Sequence, residues 1–263
     1  SLRKNARHLA KWARREGVTC YRIYDADLPE YAVAVDLYQG AGPDEGRRLA
    51  HVAEYAPPAT VDAEAARTRL AEAVEAVADV LDIEPADVAL KVRQRQRGSA
   101  QYERQAERGE WVEVAEGGLR FLVNLHDYLD TGIFLDHRPV RAMVRGLAAG
   151  TRVCNLFAYT GAASVYAHAG GARYVATVDL SATYLDWAKR NMELNGYGDA
   201  PTNRIFRSDV LRWLSDERRR IECAMRHFAA IGIRTVTPLP YSRTPPPPTD
   251  AGRDAFVAPV KDF

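Results

Sequence analysis

The sequence contains neither a long hydrophobic run nor a cysteine pattern. No apolar stretch approaches the roughly 20 residues that a membrane-spanning helix requires, and the basic amino terminus lacks the apolar segment of a secretory signal. The three cysteines, Cys20, Cys154 and Cys223, lie far apart and fit no metal-ligand spacing. We therefore predict a cytoplasmic protein with reduced thiols, no metal site and no membrane partner.

Charge of one sign is not in excess either, because the formal net charge is +1. The charges are nevertheless segregated along the chain. Residues 1–22 carry one acid, Glu16, against seven cations: Arg3, Lys4, Arg7, Lys11, Arg14, Arg15 and Arg22. A local basic stripe can contact phosphates even in a chain that is neutral overall. The helix predicted over residues 2–15 therefore either binds RNA or is an ordinary solvated helix.

A second basic run consists of Lys91, Arg93, Arg95 and Arg97, with no acid among them. Residues 88–94 have the composition of a strand, and alternate side chains of a strand point to the same side. The four cations would then form one row. Such a row either follows a phosphate backbone or protects a sheet edge from unwanted strand pairing, and both interpretations stay open.

The length of 263 residues, with 47% hydrophobic and 27% charged residues, suits one or two folded domains. The first 125 residues predict a small α+β domain. Its expected elements are helices at 2–15 and 60–81, strands at 19–24, 31–37, 48–55 and 88–94, and a hairpin of 111–115 with 119–125 around Gly117-Gly118.

Residues 151–179 predict a βαβ unit around which the remaining chain is organised. Its elements are a strand at 152–156, a helix of small residues at 162–169 and a strand at 174–178. Open α/β sheets bind ligands at the carboxyl ends of such strands. The turn after the first strand has one glycine, Gly161, where a dinucleotide site has three, and Asp179 is spaced to hold a ribose. A nucleoside without a pyrophosphate fits best, and S-adenosylmethionine (SAM) is the common one.

The segment before this unit, residues 126–140, is densely polar and follows an apolar strand. It contains Phe134, Asp136 and Arg138. Asp136 is expected to cap a helix over residues 138–147, with Pro139 in its first turn.

The segment after Asp179 continues the same alternation of helix and strand. A helix is predicted over residues 181–195 and a short strand over 204–206, which leads to Asp209. A carboxylate at the end of this strand suits an adenine amino group, because that group offers only hydrogens to a partner.

Several strings of the sequence resemble one known family. CYRIYDADLPEYAVAVD, AEYAPP, DYLDTGIFLDHR, NLFAYTGAAS and the Asp-Leu-Ser that begins at Asp179 are similar to the carboxyl-terminal half of the bifunctional large-subunit ribosomal RNA guanine methyltransferases. In that family this half forms 7-methylguanosine in 23S rRNA, and an amino-terminal half forms N2-methylguanosine. The resemblance covers residues 1 to about 215.

The resemblance implies a fold class and an order of domains. A Rossmann-like SAM-dependent methyltransferase domain of the α/β class with an incomplete sheet, residues 126–215, would follow a small α+β substrate- or RNA-binding domain, residues 1–125. Residues 216–263 would be an unmatched, irregular tail. The resemblance further implies that the family's amino-terminal half is absent from this chain and that the partner is 23S rRNA or its precursor particle. It leaves the oligomeric state open.

The resemblance also assigns cofactor-binding residues by position. The expected set is Asn155, Phe157, Tyr159, Thr160, Gly161, Asp179, Leu180, Ser181, Asp209 and Val210. Within it, Asn155, Tyr159 and Gly161 would line the methionine end of SAM. Asp179 would take the ribose hydroxyls and Asp209 the adenine.

A second set of residues is expected to bind the substrate: Phe134, Asp136, Arg138, Lys91, Arg93 and Arg95. Asp136 and Arg138 resemble the segment that closes over SAM and the target base in this family. Tyr159 and Phe134 are candidates to stack on that base. No catalytic acid or base is assigned, because guanine N7 is an unprotonated acceptor.

The carboxyl-terminal tail departs from the family's pattern. After Asp209 the family has a fourth strand that ends in Asp-Pro-Pro-Thr-Phe, followed by further strands, and residues 216–263 contain no such string. Two explanations stay open: a change of reading frame near residues 216–222, or a genuine variant with a replaced carboxyl terminus. Both predict impaired activity.

Two other functions are compatible with the sequence. The first is another rRNA methyltransferase, acting on guanine N2 or cytosine C5. A cytosine C5 enzyme needs a cysteine nucleophile, and neither Cys154 within a predicted strand nor Cys223 in the tail is well placed. The second is a non-catalytic RNA-binding module, which the measurement of SAM binding would separate from an enzyme.

Overall fold

The computed structural model describes residues 1–55, 62–93, 108–215 and 233–236. Its contacts divide the chain into two compact units, Ser1–Asp136 and His137–Phe263. The sequence had placed this division after residue 125, so the polar segment 126–136 belongs to the first unit instead. No helix among the described residues is long and apolar enough to cross a membrane.

The first unit is built on a four-stranded sheet. Its elements are α1 (Leu2–Glu16), β1 (Tyr21–Asp25), β2 (Val33–Gln39), β3 (Arg48–Tyr55), α2 (Ala63–Leu81) and β4 (Val88–Arg93). The strand order is β1-β2-β3-β4, and the pairings are antiparallel except for the parallel pair β3 and β4. That parallel pairing requires a crossover, which α2 provides. The predicted elements of this region are thus confirmed to within a few residues.

Both helices of the first unit pack on the same face of its sheet. Ala13 of α1 and Val77 of α2 share a buried cluster with Val35 and Val52 of the sheet. Asp62 caps α2, because its carboxylate accepts two N–H groups of the first turn.

A hairpin and a buried polar loop complete the first unit. The hairpin consists of β5 (Val112–Glu116) and β6 (Leu119–Val123), paired around Gly117-Gly118 as predicted. In the loop that follows, the carboxylate of the fully buried Asp127 accepts the N–H groups of Arg108 at 2.8 Å and Gly109 at 2.9 Å, and the amide of Asn124 at 2.9 Å. Asp127 therefore holds Arg108 and Gly109, just before β5, against the loop that follows the hairpin.

Lys91 lies inside the first unit, which corrects the expected row of exposed cations. The residue is 8% exposed, and its ammonium group donates to the main-chain oxygen of His126. Burial lowers the pKa of this amine. The expectation was wrong for Lys91. Alternation along a strand shows which side chains share a face of the sheet, but it does not show which face is buried. Arg93 belongs to β4 by its backbone, and Arg95 lies outside the described residues.

The second unit is built on a parallel sheet. Its elements are α3 (Arg138–Leu147), β7 (Arg152–Leu156), α4 (Ala162–Ala169), β8 (Tyr174–Asp179), α5 (Ala182–Leu194), β9 (Asn203–Arg207) and β10 (Ile233–Val236). The strand order is β10-β7-β8-β9, and every described pair is parallel. Strands alternate with helices from α3 to β9 in the predicted Rossmann-like order. All four carboxyl ends therefore lie at one edge of the sheet.

The start of α3 differs from its prediction in one detail. His137 is the N-cap, and no side-chain cap bond forms there. Asp136, the expected cap, lies one residue earlier, in a turn of 3-10 helix that includes Leu135. Pro139 in the first turn is confirmed.

Strand β10 corrects the expectation of an irregular tail. It pairs with β7 from Ile233 opposite Arg152 to Val236 opposite Asn155. Three of its four residues, an Ile, a Thr and a Val, are β-branched, which favours a strand. A strand therefore pairs with β7 here even though the sequence has no Asp-Pro-Pro string.

Replacing Asp127 by Ala should destabilise the first unit. The fully buried amide of Asn124 would lose its acceptor, which costs about 1–3 kcal/mol, whereas the N–H groups of the exposed residues Arg108 and Gly109 can bond to water instead. We expect urea unfolding to show a loss of roughly 1–3 kcal/mol in the free energy of unfolding. The matched control is Asp199→Ala, which removes an exposed carboxylate and should change stability by less than ~0.5 kcal/mol. Equal effects of the two substitutions would contradict this role of Asp127.

Candidate cofactor site

Three adjacent parallel strands bring the predicted site residues to one edge of the second unit. β7 pairs with β8 as far as Leu156, its last residue, and β8 pairs with β9 as far as Arg207, the last residue of β9. The loop of residues 157–161 follows β7, Asp179 ends β8, and Asp209 follows β9. The N–H of Ser208 donates to the main-chain oxygen of Asp179 at 2.9 Å, so the chain stays beside β8 as it leaves β9. The loop and both carboxylates therefore share this edge.

Asp179 joins two of these segments through its carboxylate. One oxygen accepts the N–H of Tyr159 in the loop at 2.8 Å, and the other accepts the N–H of Ser181 at 2.9 Å. Ser181 is in turn the N-cap of α5, since its hydroxyl accepts the N–H of Tyr184 at 3.3 Å. A carboxylate offers about four acceptor positions. Asp179 can therefore keep both bonds and still accept the hydroxyl groups of a ribose.

The loop has a left-handed backbone at every second residue. The angle φ is 53° at Phe157, 52° at Tyr159 and 71° at Gly161. Phe157 and Tyr159 have the spacing of the first two glycines in a G-x-G nucleotide loop. A residue with a side chain costs about 1–2 kcal/mol in this conformation, and such strain clusters at ligand sites. The loop therefore has a left-handed backbone at two residues that are not glycine, which marks it as a candidate ligand site.

Gly161 is required by the packing of the loop against α5. A Cβ atom at this position would lie 2.8 Å from the Cβ of Ala188 and 3.9 Å from the methyl group of Thr177. Glycine is therefore required at position 161 for two reasons: it lets the loop pack closely on α5, and it adopts the left-handed backbone.

A layer of buried polar side chains supports the loop from below. The Asn155 amide donates to the Ser164 hydroxyl at 2.9 Å, and the Thr177 hydroxyl lies 2.8 Å from the same oxygen. The Asn191 amide donates to the main-chain oxygen of Thr160 at 2.9 Å. All five residues are at most 3% exposed. Sequence reasoning missed Ser164, Thr177 and Asn191, whose only signal is a small polar side chain within an apolar element.

The apolar side chains at this edge are unusually exposed. Phe157 is 57% and Leu180 is 55% exposed. The ring of Tyr159 instead contacts the edge of Tyr184 on α5, with 4.5 Å between ring centres. An adenosine site needs a carboxylate to accept the ribose hydroxyls and an apolar surface to contact the flat base. This edge of the sheet offers both. The residues present therefore fit an adenosine-bearing cofactor.

Asp209 and Val210 have different positions at the end of β9. Asp209 is exposed, and one carboxylate oxygen accepts the N–H of Arg212, as an N-cap does. Val210 is 3% exposed and packs with Leu156 and Val178. Asp209 thus retains acceptor positions for a ligand, whereas Val210 contributes packing.

The substrate residues expected near the division between the units differ in exposure. Phe134 is 40% exposed and Asp136 is exposed, whereas Arg138, the first residue of α3, is half-buried. Phe134 is therefore not a core residue.

Comparison with protein-family models identifies the family of the chain. A model described as S-adenosylmethionine-dependent methyltransferase matches residues 46–212. The chain belongs to the S-adenosylmethionine-dependent methyltransferase family. The cofactor predicted from the loop and Asp179 is thereby confirmed as the cofactor of the family.

Curated relatives confirm the resemblance to ribosomal RNA methyltransferases. The ribosomal RNA large subunit methyltransferase K/L of Stutzerimonas stutzeri is 54% identical over 217 residues, and the protein of the same name from Pseudomonas putida strain F1 is 55% identical over 217 residues. The matches cover 82% of this chain but 29% and 28% of those proteins. The chain therefore spans less than a third of the length of these relatives.

Solved structures show the same methyltransferase fold. A Streptococcus mutans protein assigned to the SAM-dependent methyltransferases aligns with a TM-score of 0.64 and 23% identity, over 90% of this chain and 65% of that one. A second structure, assigned to the methyltransferases and complexed with SAH, aligns with a TM-score of 0.62 and 22% identity, over 90% and 67% of the two chains.

Substituting Gly161 by Ala should destabilise the methyltransferase more than the same change at another left-handed glycine. Gly46→Ala is the matched control, because φ is 90° there and nothing lies within 4 Å of the new Cβ. Both changes cost about 1–2 kcal/mol for the backbone, and Gly161→Ala adds about 1–3 kcal/mol of overpacking. Thermal unfolding measures the difference. Adding Ala188→Gly should restore part of the loss, and equal losses at positions 46 and 161 would refute the packing argument.

Comparing Gly with Ala at position 157 should reveal the strain in the loop. Both remove the exposed ring, but only Gly relieves the left-handed backbone, so Phe157→Gly should be more stable than Phe157→Ala by about 1 kcal/mol. Phe134 is the control position, because it is an exposed aromatic residue without a positive φ. There, the variant with Ala should be as stable as the variant with Gly or more stable. The free energy of unfolding in urea tests this, and the same order at both positions would disprove the strain.

Proposed function

We propose that this chain transfers the methyl group of SAM to N7 of a guanine in 23S rRNA. The observation that carries the proposal is the common edge shared by the loop of residues 157–161, Asp179 and Asp209. The names of the relatives support ribosomal RNA as the substrate. The preference for N7 follows the resemblance to the 7-methylguanosine-forming half of the family. Ribosomal RNA as the substrate would locate the protein in the cytoplasm.

The chain's own side chains would hold the cofactor in a fixed orientation. Bound SAM would supply an activated methyl group on its positively charged sulfur. Asp179 would accept the ribose hydroxyls while it keeps the loop in place, and Asp209 would accept the adenine amino hydrogens. Asn155 and Thr160 would shape the loop from below. Phe157 and the neighbouring Leu180 would cover the adenosine and exclude water.

The target base requires positioning rather than proton transfer. Guanine N7 presents an acceptor lone pair and no proton, so the residues must place it in line with the methyl group. Phe134 is proposed to stack on the base, with Tyr159 as the second candidate. Asp136 and Arg138 are proposed to contact the same nucleotide.

The first unit is proposed to bind the RNA. Arg93 and Arg95 remain proposed phosphate contacts, but Lys91 does not, because it is buried and bonded to a main-chain oxygen. The absence of an Asp-Pro-Pro-Thr-Phe string from residues 216–263 leads us to propose that this chain transfers methyl groups slowly.

Replacing Asp179 by Ala should weaken SAM binding. The change removes hydrogen bonds to a charged acceptor, which contribute about 1.5–3 kcal/mol, so the Kd measured by calorimetry should rise by roughly 10- to 100-fold. Asp186→Ala is the matched control, since it removes an exposed carboxylate of α5 and should leave the Kd unchanged. An unchanged Kd for Asp179→Ala would remove this residue from the cofactor site.

The reaction itself is tested with labelled SAM and unmethylated 23S rRNA. Digestion of the RNA to nucleosides should yield 7-methylguanosine as the labelled product. Labelled N2-methylguanosine or 5-methylcytidine would contradict the proposed position, and a chain that binds RNA but not SAM would be a binding module instead.

A further inference from the structure

One face of helix α1 packs on the core of the first unit, and the opposite face does not. The apolar side chains of Leu2, Leu9, Trp12 and Ala13 pack on the core of the sheet. The ring of Trp12 meets the edge of Tyr21, with 5.8 Å between ring centres. The opposite face of α1 is exposed within the described part of this unit.

The exposed face carries a row of cations, here named the α1 row: Lys4, Arg7, Lys11 and Arg14. Successive members are three or four residues apart and are therefore neighbours on the helix surface. At 1.5 Å per residue, the row extends about 15 Å along the helix. A nucleic-acid strand presents several phosphates over that length.

The first three members of the α1 row differ from other cations of the helix in their ion pairing. Arg3 pairs with Asp79 at 2.8 Å, and Arg15 pairs with Glu16 at 2.9 Å. No carboxylate among the described residues lies within ion-pair distance of Lys4, Arg7 or Lys11. The row therefore presents uncompensated positive charge.

The first three members of the α1 row are unfavourable to the helix itself. Lys4 lies in the first turn, at the positive end of the helix dipole, and no acid offsets it there. Like charges three or four residues apart also repel one another. Arg14 differs, because it lies in the last turn, where the dipole favours a cation. Helix stability therefore does not explain Lys4, Arg7 and Lys11, whereas a ligand with closely spaced negative charges does.

We propose that the α1 row docks the sugar-phosphate backbone of RNA. This inference rests on the proposed function, which makes RNA the substrate, and it adds α1 to Arg93 and Arg95 as a phosphate-binding element of the first unit. Contacts to phosphates position a nucleic acid but carry no sequence information. The α1 row would therefore set affinity and orientation and leave the choice of nucleotide to the methyltransferase unit.

The first test measures RNA affinity of the full chain as a function of salt. The probe is a 23S rRNA transcript, and the variant is Lys4→Gln/Arg7→Gln/Lys11→Gln. The matched control is Arg67→Gln/Lys189→Gln/Arg204→Gln, which removes three exposed cations elsewhere. The slope of log affinity against log salt should fall by about 1 for each lost phosphate contact, hence by about 3. Affinity at low salt should fall at least about 10-fold, and the control should change neither quantity.

Equal losses in the two variants would show that only net charge matters and would overturn the α1 row. Binding of the wild-type chain to phosphatidylglycerol vesicles as tightly as to RNA would also overturn it, because the surface would then be a membrane contact.

The second test needs no substitution. Acylation of lysines in the wild-type chain, followed by mass spectrometry, should slow at Lys4 and Lys11 when RNA is bound and stay unchanged at Lys189. Unchanged labelling of Lys4 and Lys11 in the complex would refute the proposal even if the variant misfolds.

The two proposals fail separately. A wild-type chain that methylates rRNA, with a triple variant that keeps the same KM for RNA, would reject the α1 row and keep the enzyme. A wild-type chain that shows the expected lysine protection and salt slope, but does not bind SAM, would reject the proposed function and keep the α1 row.

Discussion

The cofactor edge depends on one carboxylate that accepts two main-chain N–H groups. Asp179 ends β8 and holds both the loop that follows β7 and the first residue of the turn into α5. Hydrogen bonds to a charged acceptor are stronger than neutral ones, and the 8% exposure of Asp179 protects them from water. The side chain that we propose to bind the ribose thereby also fixes the geometry of the surface around it. This double use explains why an acid, rather than a neutral acceptor, suits the end of this strand.

The loop is strained, and the structure around it compensates for the strain. Its left-handed residues Phe157 and Tyr159 are followed by Gly161, which rests on Ala188. Below them, the hydrogen bonds of Asn155, Thr177 and Ser164 join β7, β8 and α4, and the Asn191 amide holds the main-chain oxygen of Thr160 in the loop. β7, which carries the loop, lies between β10 and β8 and is therefore an interior strand of the sheet. A loop of this kind is expected where rigid elements over-determine its shape.

The sequence predicted the secondary-structure elements better than it predicted the environment of individual side chains. The bounds of α3, β7 and α4 were predicted to the residue, because apolar periodicity and nearby Gly and Pro mark them. The left-handed backbone at positions 157 and 159 was not, since glycine is the usual signal and neither residue is one. The burial of Lys91 depends on His126, 35 residues away, and strand periodicity contains no such information. The sheet edge that carries the candidate site could therefore be predicted from the sequence, but the strained backbone of its loop and the buried face of β4 could not.

Lys91 and Arg108 mark the two sides of the connection between β4 and β5, and both are anchored to the same short loop. The ammonium of Lys91 bonds to His126, and the N–H of Arg108 bonds to Asp127, the next residue. The chain therefore departs and returns at one place. The short loop at His126 and Asp127 thereby couples the end of β4 to the start of the hairpin strand β5. A substitution in this loop would disturb two distant segments of the chain at once.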